Sequence, residues 1–592
     1  MSTAAPSAIR KGGSWLIEET AADAIFTAER ITDEHRMMFK TTLDFAVQEV
    51  LPQLERLENK DWALSRQFVR RAGELGLLGT DAPEEYGGLE LDKVSALMVA
   101  EGIARSASFT VTFGAMTGLA IMPLLLFGNE QQKRKYLPKL VSGELVGAYA
   151  LSESGSGSDA LGARARATRK SDGSFLLNGE KMWISNCSFA DVFIVFAKVD
   201  GEHFTAFIVE RGFPGVSTGR EEHKLGLHGS STAPLILQDA QVPAENLLGE
   251  IGKGHKVAFD VLNYGRFKLG ALSLGGAKAV IVEAAKYAST RKQFGQPIGN
   301  FGAIKHKLGQ MTAWCYMVES MMHRTAGLID QAMEAGEGTH PERLRFAMEE
   351  YAAEASIAKV AGSEMLDYVI DENLQIHGGN GFVRDYPAER HYRDSRVNRI
   401  FEGTNEINRL LIPGMLMRRA LKGDLPLIPA AMKVFEEVMS PAMPEMPGDE
   451  HLENEARAVA AFKKVGLLLL GGAMQKYQQK VTDEQEVLSF IADILIDVFG
   501  CESALLRARD AHDRAIANAA QQADVVRVLV SDAAARIEAA AKTVIAAIAE
   551  GDMQRTQLAA LRRVLKVTPA NTIALRRALA EATLARGSYI FS

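Results

Sequence analysis

Residues 399–410 read RIFEGTNEINRL and set one carboxylate, Glu402, between Phe401 and Gly403. An acid in that apolar setting raises the question of what it does there, because acids ordinarily face water. The plainer reading is a solvated loop glutamate, the ordinary fate of this residue type. EGTN is a poor helix interior, because Gly costs about 1 kcal/mol against Ala there. It reads as a loop running into a helix N-terminus, with Thr404 or Asn405 as the N-cap.

Four further segments combine glycines or small hydroxyls with apolar residues. YALSESGSGSDALGA (149–163) puts Gly155, Ser156, Gly157 and Ser158 after a strand-like run. Backbone N–H groups free of bulky side chains there can cradle a phosphate, or the stretch is a flexible loop. KMWISN (181–186) offers Trp183, Ile184 and Ser185 as a wall and backbone hydrogen bonds for a planar ring. A core Trp in a sheet is the competing reading. In STRKQFGQPIGNFGAI (289–304), Arg291 suits either a phosphate or a helix C-terminus. QIHGGNGF (375–382) has Gly378, Gly379 and Gly381, which allow close backbone approach or a left-handed cap. His377 beside such a cap reads as structural.

Hydrophobic periodicity supplies the elements that must position these residues. Residues 1–29 read as a flexible segment, being small, polar and Pro/Gly-containing at the start. Residues 30–143 follow a helical period. Near Glu144 the period changes to two. SDGSFLLNGEKMWIS carries two turn signals, DG and NG, and residues 144–253 read as an antiparallel β-domain. Residues 254–421 return to long helices and suggest a four-helix bundle, with stretches 301–335 and 341–376 as two of them. KGDLPLIP and the Pro/Met-rich MSPAMPEMPGDE make 422–450 a linker, and 451–592 a further helical domain.

The bulk numbers fit this division. The chain has 592 residues, 47% hydrophobic and 24% charged, enough for two to four domains. A net charge of -7 gives no basic surplus, and no nucleic-acid partner is expected. Cys187, Cys315 and Cys501 have neither CxxC nor zinc spacing, so no metal is expected and the thiols read as free in a reducing compartment. The apolar runs AIMPLLLF and KKVGLLLLGGAM are short for a membrane span. The expected location is cytoplasmic.

In order and setting, ALSESGSGSDALG, KMWISN, NLLGEIGKGH, RKQFG, QIHGGNGF and RIFEGTNEI resemble the acyl-CoA dehydrogenase family over roughly residues 30–420. The helical domain beyond 420 resembles the very-long-chain branch and its bacterial long-chain relatives. The resemblance implies an α+β multidomain fold: an N-terminal helical domain, a central antiparallel β-domain, a C-terminal four-helix bundle and an extra C-terminal helical domain. It implies FAD as cofactor, acyl-CoA as substrate, and a homodimer in which each subunit completes its neighbour's flavin site. Tyr149, Leu151, Ser152, Gly157 and Ser158 would approach the flavin and its diphosphate. Trp183, Ile184 and Ser185 would lie along the isoalloxazine. Arg291, Phe294, Gln375, Gly378 and Gly379 would serve the partner's FAD, and Thr404, Asn405 and Glu406 would touch FAD again. Ser158, Asn263, Tyr264 and Arg266 would flank the CoA arm, and Phe401 and Gly403 the thioester.

The same resemblance makes Glu402 the base of an α,β-dehydrogenation that turns a fatty acyl-CoA into a trans-2-enoyl-CoA. Its backbone N–H and a flavin hydroxyl would polarise the thioester. Burial between Phe401 and Gly403 should raise its pKa from about 4.3 toward neutrality. Some relatives carry the base just before an arginine on the preceding bundle helix; here that position is Gly265. The sequence departs from the family pattern at Ser154, His228 and Gly302, without losing a group the reaction needs. Small residues Gly114, Gly118 and Ala120 leave room for a long acyl tail. An electron-transferring flavoprotein is the expected acceptor. The alternatives are an acyl-CoA oxidase and a scaffold protein on the same fold. Residues 430–475 admit peripheral membrane contact, with an ordinary core helix as the favoured reading.

Overall fold

In the computed structural model, residues 9–439 and 450–591 are described. The first helical domain is built from capped helices. Asp33–Asp44 starts at Thr32, whose hydroxyl accepts from the His35 N–H. Glu130–Val141 starts in the same way at Asn129. Lys93–Ile103 is buried along its whole length. Ala107–Gly114 runs through a π-helical turn into Ile121–Phe127.

The chain then enters an eight-stranded sheet: β1 (Gly147–Ala150), β2 (Arg166–Arg169), β3 (Phe175–Ser185), β4 (Val192–Val199), β5 (His203–Glu210), β6 (Val216–Thr218), β7 (Thr232–Val242) and β8 (Leu247–Leu248). The order is β6-β7-β3-β2-β4-β5-β8, with β1 beside β4. Most pairs are antiparallel, as expected, but β1 and β2 both run parallel to β4. The sheet is therefore mixed. Long intervening segments make such crossovers sterically free, whereas a hairpin would force antiparallel pairing.

The second expected turn is absent. β3 passes straight through Asn178-Gly179, and the register shifts there instead. Gly179 has φ 150°, and a Cβ on it would lie 2.8 Å from that of Ala165, so the glycine serves a bulge. The Asn178 amide is held by Asp239 of β7 at 2.9 Å.

The bundle consists of Gly254–Thr290, Gly302–Ala335, Ala352–His377 and Asn405–Lys422. The stretch expected as one helix over 341–376 is two, His340–Glu350 and Ala352–His377, broken at Tyr351. The Tyr351 hydroxyl donates to the Arg10 carbonyl at 2.7 Å.

That contact belongs to a second difference. From residue 9 the N-terminal segment is packed, not free, while residues 1–8 lie outside the described residues. The N–H groups of Gly12 and Gly13 donate to Glu350 and Glu354, each at 2.7 Å, and the Trp15 indole donates to Glu354 at 2.9 Å. Trp15 and Leu16 supply the apolar anchor, and Gly12 permits an approach that no side chain could tolerate.

The expected linker contains a helix, Leu427–Met439; residues 440–449 lie outside the described residues. The extra domain then places Gln485–Asp513 and Thr572–Arg586 against Gly302–Ala335. A Cβ on Gly309 would fall 2.3 Å from the Arg576 carbonyl, so the two backbones nearly touch. Among the described residues, Ala107–Phe127 and Glu453–Asp483 are long and apolar enough to cross a membrane. Both are packed in the fold, the first with 78% of its apolar window buried and the second with 50%.

Candidate active site

Glu402 sits in a turn between two helical elements, with φ 56°, followed by Gly403 at φ 75°. A left-handed glutamate costs roughly 1–2 kcal/mol and must be held from outside. Thr404 is the N-cap of Asn405–Lys422, its hydroxyl accepting from the Ile407 N–H. The Asn408 amide donates to the Gly403 carbonyl at 2.9 Å and the Thr404 carbonyl at 3.0 Å. Lys359, from Ala352–His377, donates to the Gly403 carbonyl at 2.8 Å. Arg266, from Gly254–Thr290, reaches the Glu402 carbonyl at 3.4 Å and Asn263 at 2.8 Å.

Glu402 is half-buried as a residue, while its Oε2 is enclosed and has no hydrogen-bond partner. Burial pushes its pKa up to about 7, against the pull of the Arg266 and Lys359 charges. Burial likewise draws Lys359 down to about 7 and Arg266 down to about 10. The buried Tyr149 hydroxyl also lacks a partner; its pKa is raised well above the ordinary value by burial and by the Glu402 charge. A Cβ on Gly265 would lie 2.5 Å from Glu402 Oε2. Glycine at this alternative base position is what lets the Glu402 carboxyl fit.

Around this centre the quoted glycine motifs present bare backbone. Gly155 and Gly157 are exposed, and a Cβ there would meet nothing within 4 Å. Gly378 and Gly379 behave the same way at the end of Ala352–His377. Beneath the first loop, Glu153 binds Lys181 at 2.7 Å and the Arg164 and Ala165 N–H groups at 2.6 and 3.0 Å. Leu151 is buried, the Ser152 carbonyl accepts from the Met182 N–H at 2.9 Å, and Ser158 is exposed. A register break in β3 between Lys181 and Ile184 turns Trp183 outward, at φ 59° and 53% exposed. Ser185 pairs with Thr232, and Ile184 is buried, so Ile184 offers backbone only. Arg291 and Phe294 lie on an exposed hairpin after Gly254–Thr290, Phe294 at 92% exposure. Gln375 and Glu406 are exposed; Phe401 is half-buried.

Two expected site residues point their side chains into the protein. Tyr264 is fully buried and donates to Asp81, which also pairs with Lys93 and lies near Lys268. One residue from Gly265 on a helix means another face, so the Tyr264 side chain packs in the core. Asn405 turns its side chain inward, to Lys359 at 2.6 Å and Glu364 at 3.0 Å, where it braces the turn. Lys359 and Asn408 were missed by motif reading. The available signal was a lysine inside the otherwise apolar run ASIAKVAG.

Family models for the acyl-CoA dehydrogenase N-terminal, middle and C-terminal domains match residues 32–144, 148–240 and 252–416, and a second C-terminal-domain model matches 461–563. A probable acyl-CoA dehydrogenase of Bacillus subtilis is 49% identical over 578 residues, 96% of each chain. The chain belongs to the acyl-CoA dehydrogenase family. The human very long-chain specific acyl-CoA dehydrogenase is 40% identical over 370 residues, 61% of this chain and 53% of that protein. An acyl-CoA dehydrogenase from Bacillus anthracis complexed with FAD superposes with a TM-score of 0.96 at 50% identity, over 98% of this chain and 100% of that one. This acyl-CoA dehydrogenase is an FAD-dependent oxidoreductase. Its own residues fit the cofactor: bare glycine backbone for a diphosphate, an outward Trp183, and a buried Tyr149 hydroxyl without a partner.

Proposed function

We propose that this acyl-CoA dehydrogenase oxidises long-chain acyl-CoA to the trans-2-enoyl-CoA in fatty acid β-oxidation, with Glu402 as the base, and hands its electrons to an electron-transferring flavoprotein. The Glu402 carboxyl carries this reading: enclosed, unpartnered at Oε2 and near neutral in pKa. Bound FAD supplies the hydride acceptor, which no side chain can provide. Glu402 takes the α-proton. Its backbone N–H polarises the thioester oxygen, and Arg266 and Asn408 hold the turn. Gly155, Gly157, Ser158 and Trp183 hold the cofactor from this subunit.

The exposed Arg291, Phe294, Gln375, Gly378 and Gly379 have the character of a surface that completes a neighbour's site in a homodimer. The long-chain preference is supported by Gly118, which is buried yet has open space where a Cβ would stand. Gly114 is similar, with Leu272 at 3.7 Å. Ala120 packs against Gly147 and leaves no such room. A cytoplasmic location belongs to the same reading.

The test is anaerobic mixing with a series of acyl-CoA chain lengths, followed by turnover with a flavoprotein acceptor or with oxygen. Flavin bleaching that strengthens with chain length is expected. A preference for short chains would overturn the substrate assignment, and rapid hydrogen peroxide release would replace the dehydrogenase with an oxidase. No bleaching with any acyl-CoA would leave the scaffold reading.

A further inference from the structure

Lys359 enters the bundle on Ala352–His377 and is fully buried. A buried ammonium is costly unless its protons are taken up. Two of its protons are spent within the catalytic turn, on the Gly403 carbonyl at 2.8 Å and the Asn405 carboxamide oxygen at 2.6 Å. The Asn405 amide in turn donates to Glu364 at 3.0 Å, and Glu364 grips Arg409 at 2.6 and 2.9 Å. Arg409 also holds Asp493 of the extra domain at 2.7 Å. A polar chain thus runs from the extra domain to the carbonyl directly after Glu402.

We propose that Lys359 is a positioning residue for Glu402: it clamps the left-handed turn through Gly403 and, together with Arg266, adds positive charge near the Glu402 carboxyl. This rests on reading Glu402 as the base. A strained turn needs such a clamp, and a buried lysine fixed on a neighbouring helix supplies one from outside the loop. The ionisable groups facing Glu402 are Arg266 from Gly254–Thr290, Tyr149 from β1 and Lys359. Glu364 and Glu406 act on Lys359 in turn. Arg266 exerts the larger pull on the Glu402 carboxyl, whereas Lys359 is the cation tied to the turn itself by short hydrogen bonds.

Removing a cation beside a carboxylate favours the protonated acid, so the base becomes available only at higher pH. The experiment is rapid-reaction flavin reduction by acyl-CoA across pH 5.5 to 9 on holoenzyme. For Lys359→Met the rate should fall by about tenfold or more, and the midpoint of its rise with pH should move up by about one unit. Lys359→Gln keeps a donor without the charge and should show the same midpoint shift with a smaller loss of rate; it is the variant to read if the Met form fails to retain FAD. Lys359→Arg should return the midpoint to the wild-type value. An unchanged midpoint in the Met or Gln variant, with Glu402→Gln inactive, overturns the positioning role and leaves the base in place. If Glu402→Gln itself reduces flavin at the wild-type rate, the reading of the base has failed instead.

Discussion

Two buried glutamates of this chain end in opposite chemical states. Glu319, 1% exposed on Gly302–Ala335, has every oxygen engaged: Lys278 at 2.5 Å, Arg507 at 2.6 Å and the Tyr589 hydroxyl at 2.7 Å. Despite burial, those cations hold its carboxyl far below the usual range. Glu402 is enclosed too, yet no group bonds its Oε2, and its pKa climbs to about 7. Burial alone therefore does not set proton affinity; the direct partners do. The Glu319 cluster also gathers Glu29 from the N-terminal segment and Glu101 from Lys93–Ile103, so it is a joint between domains. One site holds its charge permanently. The other is left able to change it.

Three substitutions test this division, in order of decreasing effect. Glu402→Gln should keep FAD and acyl-CoA binding and lose about two to four decades of flavin reduction, about 3–5 kcal/mol of barrier. Bleaching at the wild-type rate in anaerobic mixing would end the contrast. Arg507→Met strips the main cation from Glu319 and leaves a buried charge poorly paired, a loss of about 3–5 kcal/mol in stability. Denaturation should show it, while the pH midpoint of flavin reduction stays put; a shifted midpoint would mean that the two sites are coupled. Gly265→Ala forces the Glu402 carboxyl aside, because the new methyl would lie within 2.5 Å of it. A rate loss of about tenfold to a hundredfold is expected, with stability almost unchanged.

The same contrast explains what could be read from sequence. Glu402, Thr404 and Gly265 were legible because motif residues stand next to one another in the chain. The domain order was legible because hydrophobic period changes where helices give way to strands. The burial of Tyr264 was not legible because adjacent residues on a helix face different ways, which a motif does not reveal. Lys359 and Arg507 were illegible for a different reason: their partners lie 44 residues away at Gly403 and 188 away at Glu319. The packing of residues 9–29 was missed because composition alone suggested freedom, while Trp15 and Leu16 had a receiving site only after Ala352–His377 was in place.

The smallest expected effect is the most specific, a stability difference that depends on pH. An unfolded glutamate titrates near 4.3, and native Glu402 near 7. Between those values the native state holds a proton that the unfolded state has lost. Stability must then fall as pH rises through this window and level off above it. Glu319 has the opposite sign: its stabilisation is complete above the unfolded value and is lost only as pH drops below it, toward its depressed native pKa. Lys359, lowered to about 7, acts above the window, where deprotonation in the native state precedes that in the unfolded one. From about pH 5 to 7, Glu402 is thus the group among these that sets the slope. Glu402→Gln removes that slope, so its melting temperature should gain on the wild type as pH rises from 5 to 7 and then hold a constant lead. In a chain of 592 residues the lead should be a few degrees at most. Parallel melting curves across that range would show that native Glu402 already carries its charge at pH 5, and would overturn the assignment of a near-neutral base.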